Sequence, residues 1–310
     1  MDNIKPIDLT FVIQGPVDYK SAVLQVESIK RHYKESPIII STWNGMLSNQ
    51  PIKDVKIIHS EDPGGWCHKG YHMNINRQII SSFSGLKEVQ TKYVIKLRSD
   101  LVCKNGNLLK ILNEAKNIKR NKFNNNNWVV STNLTTVNID KHKRPFAICD
   151  WIFAGETNDI KNIFDIDLMS YDDFMFFDDD VIYGSARSKF NAEQYIIVSY
   201  LRKIGFLNEN EPVDGYDASP IICQKYKIAL ASIFLVKTMS SLGFKSLKYK
   251  ITFFGLYKMM TEHEWKKNYL YLNGQNIPFK FDATRFIYDV ISSQKIRKPI
   301  SKVKSFVKRQ

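Results

Sequence analysis

The sequence predicts an α/β domain built on a mostly parallel central sheet. Short apolar runs recur at Leu9–Gln14, Pro37–Trp43, Val55–His59 and Tyr93–Leu97. Helical periodicity separates the first run from the second and the third from the fourth, giving strand, helix, strand, strand, helix, strand. Every run ends in glycine, proline or polar residues, and the carboxyl ends of parallel strands are where such sheets collect ligands.

The first run closes at Gly15-Pro16, which reads as a buried strand and a turn. Ser21 to Lys34 follows, with Val23, Val26, Ile29 and Tyr33 on one helical face. Lys30, Arg31 and Lys34 near its end suit the negative pole of the helix dipole. The second strand closes at Asn44-Gly45, and the third precedes Asp62-Pro-Gly-Gly65. A helix is expected from about Tyr71 to Phe83, and the fourth strand ends at Arg98-Ser-Asp100. Trp128–Thr132 and Ile148–Gly155 read as further strands, the latter carrying Asp150. Residues 117–127 read as a surface loop, and 190–204 as a helix with Tyr195, Val198, Leu201 and Ile204 on one face. A soft boundary is placed near 223, dividing a domain at 1–223 from a basic, mainly helical region at 224–310.

Composition narrows the function classes. With 310 residues, 44% hydrophobic and 25% charged, the chain can bury a real core and is neither disordered nor collagen-like. Its four cysteines contain no CxxC pair, so reduced thiols are expected rather than a zinc ribbon. No apolar run approaches bilayer-spanning length; Ile228–Val236 is the longest candidate. No basic segment followed by an apolar core opens the chain, so a cleaved signal peptide is not expected.

The net charge of +14 is concentrated at one end. Residues 224–310 hold 18 Lys and Arg against 4 Asp and Glu, whereas the preceding residues balance. Phe234, Phe244, Tyr249, Phe253, Phe254 and Tyr257 are interleaved with these cations. That mixture describes either a surface that lies on an anionic membrane or a solvated helical extension. No zinc finger, helix-turn-helix or RNP motif is present, so nucleic acid is not an expected partner.

Chemistry-bearing residues cluster at the strand ends. Lys96, Arg98 and Asp100 share one strand face by the period of two, and burying such charges unpaired is costly, so they are expected to emerge into a crevice. There Arg98 can grip phosphate oxygens and Asp100 can supply an oxygen ligand to Mg²⁺ or Mn²⁺. The alternative is a local Arg–Asp pair. Asn74, Asn76, Arg77 and Gln78 suit a phosphate, a base edge or sugar hydroxyls, or else form a polar helix face. Cys67, His68 and His72 include an i, i+4 histidine pair, but no fourth ligand matches zinc spacing. Seven aspartates between 165 and 180 form either an acidic, aromatic loop over a site or a solvated loop. Glu193 falls in the first turn of a helix, where it can accept a proton from an attacking hydroxyl or simply favour a helix start capped by Asn191. Asp150 is the competing carboxylate, and Trp151 offers a face on which a sugar ring can stack.

Taken together, Val12-Ile-Gln-Gly-Pro-Val17, Ser41-Thr-Trp43, Asp62-Pro-Gly64, Asn76-Arg-Gln78, Lys92-Tyr-Val-Ile-Lys-Leu-Arg-Ser-Asp100, Asp150-Trp-Ile-Phe-Ala-Gly155 and Glu193-Gln-Tyr195 resemble the WavE lipopolysaccharide synthesis family of bacterial glycosyltransferases. The resemblance extends over roughly residues 10–205. It implies a GT-A-like nucleotide-binding fold and sugar transfer from a nucleotide-sugar donor to a lipid-linked or surface polysaccharide acceptor, such as lipopolysaccharide core, O-antigen or capsule. Gln14, Gly15, Pro16, Thr42, Trp43, Asp62, Asn76, Arg77, Lys96, Arg98 and Asp100 would then line the donor pocket. Glu193 would activate the acceptor, with Asp150 as the second catalytic candidate. GT-A enzymes carry Asp-x-Asp where this chain has Arg98-Ser-Asp100, so a Mn or Mg ion on Asp100 is in question and Arg98 can neutralise phosphate instead. The implied location is the cytoplasmic face of the inner membrane, held peripherally. The rival readings are a nucleotidyltransferase or sugar-phosphate transferase, and a non-enzymatic, membrane-attached polysaccharide-assembly protein.

Overall fold

A computed structural model describes residues 3–47, 51–119, 127–177, 187–248, 256–276 and 281–292. Its strands are β1 (Leu9–Gln14), β2 (Ile38–Trp43), β3 (Val55–Ser60), β4 (Trp66–His68), β5 (Tyr71–Met73), β6 (Tyr93–Arg98), β7 (Leu101–Cys103), β8 (Val129–Thr132), β9 (Ile152–Glu156), β10 (Phe234–Lys237) and β11 (Phe244–Ser246). Its α-helices are α1 (Tyr19–Lys30), α2 (Ile75–Lys87), α3 (Asn107–Asn117), α4 (Thr157–Phe164), α5 (Tyr171–Phe174), α6 (Ala192–Lys203), α7 (Pro220–Ser232), α8 (Met239–Leu242), α9 (Glu262–Leu272) and α10 (Ala283–Ser292).

Seven strands form one sheet in the order β10-β8-β9-β6-β1-β2-β3. All neighbours run parallel except β9, which is antiparallel to both β6 and β8. This mostly parallel sheet flanked by helices is consistent with the GT-A-like architecture that the resemblance implies. The chain passes from β1 out to β3 and then returns to β6 on the other side of β1. The carboxyl ends of β1 and β6 therefore bracket a topological switch point.

Alternation along β1 shows how both faces are covered. Phe11 meets Tyr33, just beyond α1, with ring centroids 4.9 Å apart. Val12 faces α2, where Gly85 comes so close that an added Cβ would lie 2.7 Å from Val12 Cγ1 and 2.9 Å from Ser41 Cβ. Every residue of β1 and β2 is consequently buried, as expected for a parallel strand covered on both sides. Edge strand β3 alternates more and places Lys56 outward, paired with Glu88.

The C-terminal region departs from the sequence reading. The proposed boundary at 223 falls inside α7, and β10 is an edge strand of the main sheet, paired with β8. β11 pairs with β7, and the Trp265 indole of α9 donates to the carbonyls of Leu230 and Phe234 while packing edge-on against Trp128. Residues 224–246 and 256–272 thus complete the fold, and part of the basic excess is carried on it. Aromatic and aliphatic residues read as membrane anchors are partly core: Phe234, Leu235 and Phe244 are buried. Tyr249, Phe253 and Phe254 lie outside the described residues, as do the tail from 293 to 310 and Asp178, Asp179 and Asp180. Among the described residues, no helix is long and apolar enough to cross a membrane.

Candidate functional site

The switch point opens into a cavity of about 430 Å³ lined by Pro16, Val17, Asp18, Ser21, Met46, Ser99, Asp100, Leu247 and Lys248. Its floor is set by the β1 and β6 termini. Gly15 adopts φ +116°, a backbone geometry that favours glycine. Ser99 donates from its amide to the Gln14 carbonyl at 3.0 Å and from its hydroxyl to the Pro16 carbonyl at 2.7 Å. These bonds fix the Gly15-Pro16 turn against Ser99-Asp100. At the start of α1, Asp18 accepts from the Ser21 amide and hydroxyl, which holds its carboxyl below the usual carboxylate range.

Beside Asp100, Arg98 makes a forked pair: Nε donates to Oδ1 at 2.9 Å and Nη2 to Oδ2 at 3.1 Å. The guanidinium lies 4.3 Å from the centroid of the Trp151 ring. Both partners remain partly accessible, at 27% and 17% of their side-chain surface. The local Arg–Asp pair considered from sequence is therefore real, and it sits beside the cavity rather than in the packed interior. The Ser246 hydroxyl adds a 3.3 Å bond to Asp100 Oδ2. Arg98 engages both carboxylate oxygens of Asp100, and no group of three or more potential metal-ligating side chains occurs among the described residues.

Lys96 differs from its expected place. It lies opposite Val12 on the face covered by α2 and α4, and these helices close over it before Arg98 clears them. Its ammonium is fully buried, 5.0 Å from the Phe164 ring centroid, and donates to the Asp150 carbonyl at 2.7 Å. Burial pulls its pKa down to about 8, opposed by the Asp150 charge. Lys96 thus positions the Asp150 backbone and does not emerge into the crevice.

Asp150 and Glu193, distant in sequence, are brought together. Asp150 is 5% exposed and accepts from Gln78 Nε2 at 2.6 Å. Asn191 and Gln194 form a reciprocal cap at the start of α6, which fixes the turn carrying Glu193. The Gln194 amide also ties that turn to the carbonyls of Pro145 and Gly215. Glu193 is half-buried. Burial, reinforced by the Asp150 charge, pushes its pKa up to about 7. Thr135 faces both Glu193 and Cys149. Arg144 contributes a favourable field to Glu193 and donates to the Tyr216 hydroxyl at 2.6 Å, while Tyr71 holds Ser188 at 3.0 Å beside them. The pair communicates with the switch-point side through Trp151, whose carbonyl accepts from the Arg98 amide at 3.2 Å.

The remaining candidates are held in structural contacts. Gln14 is 7% exposed and donates to Ser81; Thr42 is fully buried against Met46 Sδ, and Trp43 is 6% exposed. Asn76 uses its whole amide on the backbone of Met169, donating to the carbonyl at 3.0 Å and accepting from the amide at 2.8 Å. Asp62 and Arg77 form a forked pair at 2.6 and 2.8 Å that fastens the Asp62-Pro-Gly-Gly65 turn to α2. That bond lowers the Asp62 pKa. His68 and His72 do not share a helix: they lie on the β4–β5 hairpin, where Cys67 faces His72 and His68 faces Tyr71. Of the expected donor residues, Pro16 and Asp100 line the cavity directly.

Sequence reasoning missed Asp18, Ser21, Met46, Ser99, Leu247 and Lys248 in the cavity, and Thr135, Arg144 and Tyr216 beside the acidic pair. Asp18 carried a readable signal as the cap before α1. Leu247 and Arg144 carried none, because chain reversals distant in sequence bring them in.

The family model for WavE lipopolysaccharide synthesis matches residues 9–302, which extends the likeness through the C-terminal region. No curated protein matches the chain.

Proposed function

From the premise that this chain belongs to the WavE lipopolysaccharide synthesis family, we propose that it is a glycosyltransferase that moves a sugar from a nucleotide-sugar donor to a lipid-linked or surface polysaccharide acceptor. The observation that carries the reading is the placement of the Asp150–Glu193 pair across Trp151 from the switch-point cavity.

In this proposal the nucleotide occupies the cavity at the ends of β1 and β6, where α/β sheets take such ligands. The diphosphate reaches Arg98. Arg98 thus supplies the cation that stabilises the leaving phosphate, and no metal step is invoked. Glu193 removes the proton of the acceptor hydroxyl as that oxygen attacks the anomeric carbon. A base with a pKa of about 7 is ionised in useful fraction near neutrality and still binds a proton strongly enough to drive the transfer. Asp150 raises that pKa by its charge, and Lys96 and Gln78 fix Asp150. A peripheral position at the cytoplasmic face of the inner membrane would bring the site to a lipid-linked acceptor.

The test is incubation of purified protein with nucleotide sugars and a lipopolysaccharide-derived acceptor, followed by product identification. A glycoside with release of nucleotide supports the proposal. A phosphodiester product identifies a sugar-phosphate transferase or nucleotidyltransferase instead, and absence of turnover with every donor supports a non-enzymatic assembly role.

A further inference from the structure

Helix α10 is amphipathic in the inverted sense. Its inward stripe is polar. Arg285, only 11% exposed in its side chain, donates through Nε and Nη2 to the two carboxylate oxygens of Glu264 at 2.7 and 2.6 Å, and through Nη1 to the Tyr257 carbonyl. Just before the helix, Asp282 accepts from the Thr261 hydroxyl at 2.6 Å. One turn beyond Arg285, the Tyr288 hydroxyl accepts from Asn133 Nδ2 at 3.5 Å. The outward side is apolar: Phe286 is 57% exposed, Ile287 51% and Val290 38%, and Phe281 beside them is 66% exposed with its ring 5.7 Å from that of Phe286. A helix that only closed a soluble fold would turn these residues inward.

We infer that α10 is an interfacial wedge whose Phe281, Phe286, Ile287 and Val290 enter the surface of an anionic bilayer. Charge selects this occupant. The chain directly after the helix, Lys295 to Gln310, carries seven basic and no acidic residues, and the net excess of the whole chain lies in residues 224–310. A second copy would bring the same net positive charge, whereas anionic headgroups supply its complement. An apolar face beside a basic segment is the composition that holds a helix in the plane of a membrane.

The mounting of the wedge relates it to the acidic pair. The segment before α9 is stitched to the loop after β8: Met260 donates to the Thr136 carbonyl at 2.9 Å, and Asn138 to the Lys258 carbonyl at 2.7 Å. Lys141 in the same loop pairs with Asp289 of α10 at 3.4 Å. Thr135 and Arg144, neighbours of Glu193, belong to this loop. A bilayer gripped by α10 therefore holds the loop that borders the acidic pair close to the headgroups. The inference does not depend on the transfer reaction, since membrane binding is measured without turnover.

The experiment is co-sedimentation of the full chain with phosphatidylethanolamine–phosphatidylglycerol vesicles and with phosphatidylcholine vesicles, for the wild type and for Phe286→Glu/Ile287→Glu. Both positions are exposed, so the variant should keep its melting temperature. The expected result is binding to the anionic vesicles with an affinity reduced roughly tenfold or more in the variant. A second variant, Phe286→Trp, should show extra emission relative to wild type that shifts to the blue and is quenched by brominated phosphatidylglycerol. Wild-type protein that ignores anionic vesicles, a double variant that binds as tightly as wild type through its basic tail alone, or an unquenched Trp at 286 would each overturn the inference. So would a wild-type dimer that the double variant converts to a monomer without any vesicle binding.

Discussion

The Arg98 guanidinium lies over the Trp151 indole at 4.3 Å, and it meets this ring while gripping Asp100 beside the switch-point cavity. Stacking and the forked carboxylate together hold a planar cation in one orientation, which an ammonium cannot reproduce. Arg98→Lys is therefore expected to lower kcat/KM for the nucleotide-sugar donor by roughly 10²–10³-fold. A chelator should leave wild-type turnover unchanged. Initial-rate kinetics with and without chelator check both, and a variant at wild-type rate would remove Arg98 from the leaving-group role.

Glu193 gives a pH signature with a definite sign. Its folded pKa of about 7 lies above the ordinary 4.5, so the native state holds a proton that the unfolded chain releases. Its contribution to stability is full below about 4.5 and lost as pH rises through about 7. Glu193→Gln should thus be more stable than wild type above neutrality, by about 1–3 kcal/mol, with the difference shrinking in acid. The same variant should lose about 10²–10⁴-fold in transfer while retaining donor binding. In the wild type, kcat/KM should fall below a midpoint near 7. Urea melts across pH and a pH–rate profile measure the two effects separately.

Asn76 offers a test of pin against ligand. Its amide completes two bonds with the Met169 backbone, so Asn76→Ala should destabilise the protein by about 1–3 kcal/mol and leave the donor KM near the wild-type value. A large rise in KM with unchanged stability would instead return Asn76 to the donor pocket. Thermal melts and donor titration decide it.

Truncation tests where the domain ends. A chain stopped after residue 223 loses β10 from the central sheet and the Trp265 contacts to Leu230, Phe234 and Trp128. It should fail to give a cooperative melt, because the β8 edge and its apolar neighbours are uncovered. A chain stopped after residue 292 keeps every described element and should melt as the full chain does. Circular dichroism of the two truncations measures this.

Much of the first hundred residues was legible because local rules govern it. β1, β2, β3 and β6 coincide closely with apolar runs, whereas the helix expected over Ser21–Lys34 runs from Tyr19 to Lys30 behind the Asp18 cap that the reading missed. The expected helix from Tyr71 was partly misjudged: Tyr71–Met73 is a strand, and α2 starts at Ile75. Pairing with Trp66–His68 overrode the local helical pattern there, since the hairpin packs Tyr71 and Trp66 against Phe174.

By itself, the sequence determined the α/β class, the polar ends of the strands and the first-turn position of Glu193, because hydrophobic period and turn chemistry act over a few residues. Only the tertiary structure decided that Lys96 is sealed under α2 and α4, that Asn76 fastens Met169, and that Glu193 faces Asp150. It also decided that residues 224–246 complete the fold. A polar side chain takes whichever partner the packed elements bring within about 3 Å, and that partner is set by chain reversals that local spacing does not encode.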